Sequence, residues 1–131
     1  MLNDITDVPV QYVNSAGPEC NIEDLWSDIP WQSVLNVPRN ECWMNEFDLP
    51  YSYGRGNGKR EYLPVPYSNF VKFHLNVLNL HTNDYNCCFI NGYVDEKQHL
   101  GWHADDSPEM DNDHPIAILS YGLIVTGKQQ L

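Results

Sequence analysis

The sequence predicts one α+β domain, mainly β, with a single long helix packed against short strands. Three observations carry that expectation. The chain has 131 residues, the size of one domain, and 42% hydrophobic residues, enough for one modest core and too many for wholesale disorder. Sustained apolar spacing of three and four residues is concentrated between Pro66 and His81. From Tyr85 onward the pattern changes to short β-compatible runs separated by turn residues.

Taken in order, residues 1–20 lack periodicity and contain Pro9, Gly17 and Pro18, which reads as a flexible leader before a single domain over 21–131. Asn21 is a helix cap for Ile22 to Trp26, with Glu23 and Asp24 in the first turn where the helix dipole favours acids, and Pro30 stops the helix. Residues 39–47 read as a strand. Residues 50–66 hold Pro50, Gly54, Gly56, Gly58, Pro64 and Pro66, which is loop chemistry. Tyr51, Tyr53 and Tyr62 stand there beside Arg55, Lys59 and Arg60, a mixture that suits either stacking on nucleic-acid bases or an ordinary tyrosine-rich hairpin packed on the domain.

Pro66 is placed to open the long helix, and Phe70, Phe73, Val77 and Leu80 form the stripe expected to seal one side of a sheet. His74 falls at the edge of that stripe, as a packing residue, and His81 near the helix end, where a cationic tip is favoured. Asn86 to Tyr93 is β-compatible, Val94 to Lys97 is a turn, and His99 to His103 is extended. An acidic loop over 105–114 leads into Pro115 to Gly122, and Leu123 to Thr126 is a last apolar piece.

The formal net charge of −11 has the wrong sign for a protein that grips phosphate by bulk electrostatics. Its distribution is uneven. Residues 51–81 carry Arg55, Lys59, Arg60 and Lys72 against Glu61 alone, a local stretch that a nucleic-acid strand can meet, or simply a solvated loop. No apolar run approaches the ~18 residues of a membrane span, and the acidic start Met1 to Asp7 resembles neither a signal nor a transit peptide. The expectation is an intracellular protein, cytoplasmic or, in a eukaryote, nuclear, that is not secreted. Cys20, Cys42, Cys87 and Cys88 show neither a CxxC pair nor zinc spacing and read as reduced thiols, with Cys87 or Cys88 buried in a strand.

One spacing carries chemistry: His103-Ala104-Asp105. On a strand, residues two apart share a face, with ~6–7 Å between their Cα atoms, so an imidazole and a carboxylate can reach one cation. Joined by a distant histidine, such a pair makes the facial triad of non-haem Fe(II) sites. Taken alone the pair equally describes a polar surface strand.

Its surroundings are more specific. The ordered run Phe89-Ile-Asn91-Gly-Tyr93, then Gly101-Trp-His103-Ala-Asp105-Asp106, then Pro115-Ile-Ala-Ile-Leu-Ser-Tyr-Gly122 resembles the AlkB family of Fe(II)- and 2-oxoglutarate-dependent dioxygenases. The likeness is close over 86–122 and weaker over 37–66, where Val37-Pro-Arg39 and Tyr51-Ser-Tyr-Gly54 resemble the family's nucleotide-recognition lid. The resemblance implies a partial double-stranded β-helix, jelly-roll-like, with one long packing helix. It implies Fe(II) held by His103 and Asp105, 2-oxoglutarate hydrogen-bonded by Asn91 and Tyr93, and Arg39, Tyr51, Tyr53 and Asp106 near the substrate. The implied activity is oxidative dealkylation of N-alkylated DNA or RNA bases, presented single-stranded or flipped out of the stack. The family often has Glu at the position of Ser107, a substrate-discriminating site, so the lesion class is left open.

The family also brings a distal iron-binding His and a keto-acid-binding Arg from later strands. The nine residues after Gly122 contain neither. The expectation from sequence is therefore a core incomplete after Gly122, with His99, His114 and Lys128 as weak substitutes; His99 lies four residues, ~13 Å, from His103 along an extended chain. Two ligands alone bind iron weakly, which keeps a second reading open: a catalytically inactive remnant that binds nucleic acid or protein.

Overall fold

The computed structural model describes residues 19–32, 37–54, 56, 59–80, 85–101, 103, 108, 110, 111 and 113–122. Among these, the elements are helix α1 (Ile22–Asp28), strands β1 (Asn40–Met44), β2 (Tyr51–Tyr53) and β3 (Arg60–Tyr62), helix α2 (Asn69–Leu78) and strand β4 (Cys88–Gly92). The fold is mixed α+β, with helix and strand in similar measure. Its strands form two antiparallel pairs, β1 with β4 and β2 with β3.

Helix α1 begins as its sequence requires: the Asn21 side chain accepts from the backbone N–H groups of Glu23 and Asp24, and Ile29 ends the helix in an extended conformation just before Pro30. The β1–β4 pair runs in the register Glu41 opposite Asn91, Cys42 opposite Ile90, Trp43 opposite Phe89 and Met44 opposite Cys88. Strand side chains alternate, so this pair has two unlike faces. Cys42, Met44, Cys88 and Ile90 meet Ile29, Leu25, Trp31, Val71 and Leu75 in the core. Gly92 belongs to the same face, and a Cβ there would stand 2.4 Å from the Trp31 ring and 2.8 Å from that of Trp26. Glycine is required because two tryptophans, their rings 4.6 Å apart, lie against the strand.

The other edge of β1 is covered without a regular strand. Gln32 donates its N–H to the Glu41 carbonyl at 2.8 Å, accepts from Trp43 N–H through Oε1 at 2.8 Å, and reaches the Leu63 carbonyl through Nε2 at 2.7 Å. Val65 continues the cover, donating to the Trp43 carbonyl and accepting from Asn45. A bare edge is a template for association, and these bonds occupy it.

Several expectations change. The 50–66 segment is not simply a loop: Tyr51 pairs with Tyr62 and Tyr53 with Arg60, so it is a hairpin whose turn is eased by Gly54 at φ 91°. Helix α2 starts at Asn69, capped by the Ser68 side chain on Val71 N–H, and Pro66 lies outside it. Its buried face is Val71 and His74, while Phe73, Val77 and Leu80 are exposed. The Phe70–Leu80 stripe therefore does not seal the sheet; an adjacent ridge does, because Val71 and Leu75 fit against Met44 and Cys42. His74 is buried as a packing residue, against Phe70 and Tyr121. Its Nδ1 donates to the Phe70 carbonyl at 2.8 Å, and its Nε2 meets the Tyr121 hydroxyl at 2.6 Å.

Residues 94–97 turn as expected, with Gln98 N–H on the Asp95 carbonyl. The described residues of 98–103 and 115–122 form no strand. A strand needs a paired neighbour, and His99 instead gives its N–H to the Pro38 carbonyl while Tyr121 is fastened to His74. All four cysteines are free thiols, and Cys42 is the fully enclosed one. Burial, with Cys88 nearby, pushes the Cys42 thiol up to about 12. Among the described residues, no helix is long and apolar enough to cross a membrane.

Candidate functional site

The face of β1–β4 turned away from the core presents Arg39, Glu41 and Trp43 along one strand and Phe89 and Asn91 along the other. Side chains of the β2–β3 hairpin meet it. The Tyr51 ring lies 5.0 Å from Trp43 and 5.5 Å from Phe89, and Tyr62 approaches Phe89 edge-on at 6.0 Å. Tyr51 thus packs on the sheet, and Tyr53 contributes its backbone to β2. For Tyr51 and Tyr62 the packed hairpin is the arrangement found.

Beside the aromatic patch lies a buried ionic cluster. The Glu41 carboxylate is 1% exposed and meets Arg39 at 3.0 Å and Arg60 at 3.2 Å. The Tyr62 hydroxyl donates to it at 2.7 Å. Two guanidinium groups thus converge on one buried carboxylate, which offsets the cost of placing these charges in a poorly hydrated position. Arg60, expected among the basic residues facing a nucleic-acid strand, is turned inward; Lys59 and Lys72 remain exposed.

Arg39 is also the junction of the site. Its Nε donates to Asn91 Oδ1 at 3.2 Å, and its Nη1 reaches the His99 carbonyl at 3.4 Å. One side chain therefore joins β1, β4 and the segment that runs toward His103. Tyr93 follows Asn91 by two residues and is half exposed. Its phenol is pushed up by burial, drawn down by Arg39 and pushed up by Glu41, so it stays protonated well past neutrality. His103 is exposed, and its Nδ1 donates to the Gly101 carbonyl at 2.8 Å. In the neutral ring that assigns the lone pair to Nε2, the arrangement in which a second hydrogen bond orients a metal-ligating histidine.

The structure thus brings Arg39, Asn91 and Tyr93 to one patch, with Tyr51 packed nearby. Asp105, Asp106 and Ser107 lie outside the described residues, as do residues 1–18, Arg55, His81 and Lys128. Among the described residues, no group of three or more His, Cys, Asp and Glu stands close enough to hold a metal ion. His114 is paired with Asp111 at 2.8 Å, and the His99 ring turns to the Lys97 carbonyl at 3.3 Å.

No protein-family model matches the chain, and no solved structure does. Curated proteins do. The alpha-ketoglutarate-dependent dioxygenase alkB homolog 3 of Mus musculus is 32% identical over 111 residues, covering 77% of this chain and 37% of the relative. The Rattus norvegicus protein of the same name is 32% identical over 111 residues, with 77% and 36% covered. That of Homo sapiens is 30% identical over 109 residues, with 77% and 37% covered. The chain belongs to the AlkB family.

The chain spans about 37% of the length of these AlkB relatives. Within it, the sequence pattern alone missed Glu41, the hub of the ionic cluster, and the inward role of Arg60. The alternation Arg39-x-Glu41-x-Trp43 on one strand was the available signal: it places an acid between a cation and an aromatic on one face.

Proposed function

We propose that this chain carries the cosubstrate face of an AlkB-like Fe(II)/2-oxoglutarate-dependent dioxygenase acting on N-alkylated nucleic-acid bases. The observation that carries the reading is the Arg39–Asn91 hydrogen bond. A guanidinium only donates, so the carboxamide must turn its oxygen toward Arg39 and its NH2 away. Asn91 then offers donors, and Tyr93, protonated at neutral pH, offers another two residues along. Convergent donors beside the Arg39 guanidinium suit a ligand that only accepts, such as the carboxylates of a keto acid.

His103 fits a borderline metal through Nε2, and Asp105 is the proposed carboxylate ligand. When bound, Fe(II) with 2-oxoglutarate supplies the oxidation of an N-alkyl carbon by O2, the keto acid leaving as succinate and CO2. The part of the protein is to hold the keto acid on Asn91 and Tyr93 and to set the base against an aromatic surface. Arg39, Tyr51, Tyr53 and Asp106 are the proposed substrate-side residues. The β1–β4 pair is proposed as part of the double-stranded β-helix, and alkylated DNA or RNA, single-stranded or flipped, as the partner.

The test is succinate release from protein supplied with Fe(II), O2, 2-oxoglutarate and a methylated single-stranded oligonucleotide. Release that depends on the methyl group and disappears in His103→Ala supports the reading. A folded, iron-loaded protein that releases none with any methylated DNA or RNA rejects it.

A further inference from the structure

We infer that Glu41 is a positioning residue that fixes which edge of the Asn91 carboxamide faces the cosubstrate; this rests on the cosubstrate reading above. The Asn91 amide has two orientations that differ only in which end is oxygen. Its choice is made by Arg39 Nε at 3.2 Å, and Arg39 is itself held by Glu41 at 3.0 Å. Glu41 stands directly opposite Asn91 across the β1–β4 pair, so carboxylate and carboxamide share one face with the guanidinium beside both.

The carboxylate is a contact shared by two guanidinium groups. Arg39 and Arg60 converge on Glu41, with the Tyr62 hydroxyl as a further donor. Without the negative charge, the two guanidinium groups repel, and Arg60 is the one nearer solvent, its side chain 17% exposed against 6% for Arg39. The Arg39 fork then loses one of the contacts that hold its Nε toward Asn91, and the amide turns its oxygen outward more readily. An outward oxygen opposes a keto-acid carboxylate, whereas an outward NH2 donates to it. The same carboxylate holds Arg60 and Tyr62 of β3, so occupancy of the keto-acid site and seating of the β2–β3 hairpin are linked through one side chain.

The test compares Glu41→Gln, Arg39→Gln and Tyr62→Phe with the parent chain in two readouts. One is the Asn91 side-chain NH2 resonance pair by NMR, without ligand. The other is the affinity for 2-oxoglutarate by calorimetry, with unfolding midpoints recorded alongside. Glu41→Gln is expected to shift the Asn91 pair and weaken 2-oxoglutarate roughly tenfold, about the worth of one charge-assisted hydrogen bond. Arg39→Gln is expected to do the same, and serves if Glu41→Gln does not fold. Tyr62→Phe removes a bond to Glu41 but leaves the path to Asn91, so its affinity should stay within about twofold although its stability falls. Losses of affinity that simply follow loss of stability across the three variants, or an unmoved Asn91 pair in Glu41→Gln or Arg39→Gln, overturn the inference. If the parent chain binds no 2-oxoglutarate, the functional reading fails, while the Asn91 resonances still decide whether Glu41 governs that amide.

Discussion

The two faces of the β1–β4 pair are built from neighbouring residues and obey different physics. On one, Cys42, Met44, Cys88 and Ile90 pack against α1 and α2 with the tryptophans drawn down on Gly92. On the other, Arg39, Glu41 and Asn91 are tied by directional bonds, and Trp43, Tyr51 and Phe89 form a half-open aromatic surface. Apolar packing holds the sheet in place whichever way small shifts fall. Directional bonds hold particular atoms in particular directions, which is what a ligand site requires. A period-two strand lets one short segment do both.

The sharpest way to separate the faces is to damage each and compare stability with binding. Glu41→Ala should have the largest effect, about 3–5 kcal/mol in urea unfolding, because it removes the anion that buried Arg39 and half-buried Arg60 share. Met44→Ala should cost about 2–5 kcal/mol by opening a cavity under α2, yet leave the 2-oxoglutarate affinity of the folded protein unchanged. A Met44→Ala protein that folds but loses the ligand would show that the two faces do not act separately.

Gly92→Ala should follow, at about 1–3 kcal/mol, since its new methyl must displace both tryptophan rings. Its signature is optical: tryptophan fluorescence should change on this substitution and stay unaltered in Tyr62→Phe. A further effect is chemical and confined to alkaline pH. With the folded Cys42 thiol at about 12 against an ordinary value of 9.0, the group binds its proton more tightly folded than unfolded. Its contribution is fully present below pH 9 and is lost as pH rises toward 12, so unfolding should become easier across that window. At pH 8, an alkylating reagent should modify the exposed Cys20 and reach Cys42 only after denaturation.

The site divides along the same line in how far it could be read from sequence. The cap at Asn21, strand β1, the turn at 94–97 and strand β4 follow from local rules, namely a side-chain oxygen before a helix, alternation and turn residues, and each stands where it was expected. The packed face of α2 does not follow. Two apolar ridges, one through Phe73 and Val77 and one through Val71 and Leu75, share the same spacing, and only the shape of Met44 and Cys42 beneath selects between them. Ser68 displaced Pro66 as the start of α2 because a hydroxyl satisfies an orphan N–H, which a proline ring cannot. Asn91, Tyr93 and His103 could be nominated from sequence because a motif names residues. The Glu41 cluster was not, because a buried acid looks like a solvated one until Arg60, nineteen residues away, is seen to turn inward.

The most direct measurement is a 2-oxoglutarate titration of the folded protein, followed through side-chain NMR signals on both faces of the sheet. The Asn91 NH2 pair and the Tyr93 ring should move together and saturate, while the Met44 methyl and the Trp26 and Trp31 indoles stay in place. Saturable binding that leaves Asn91 and Tyr93 untouched, or that moves only the tryptophan side, would contradict the assignment of the ligand face.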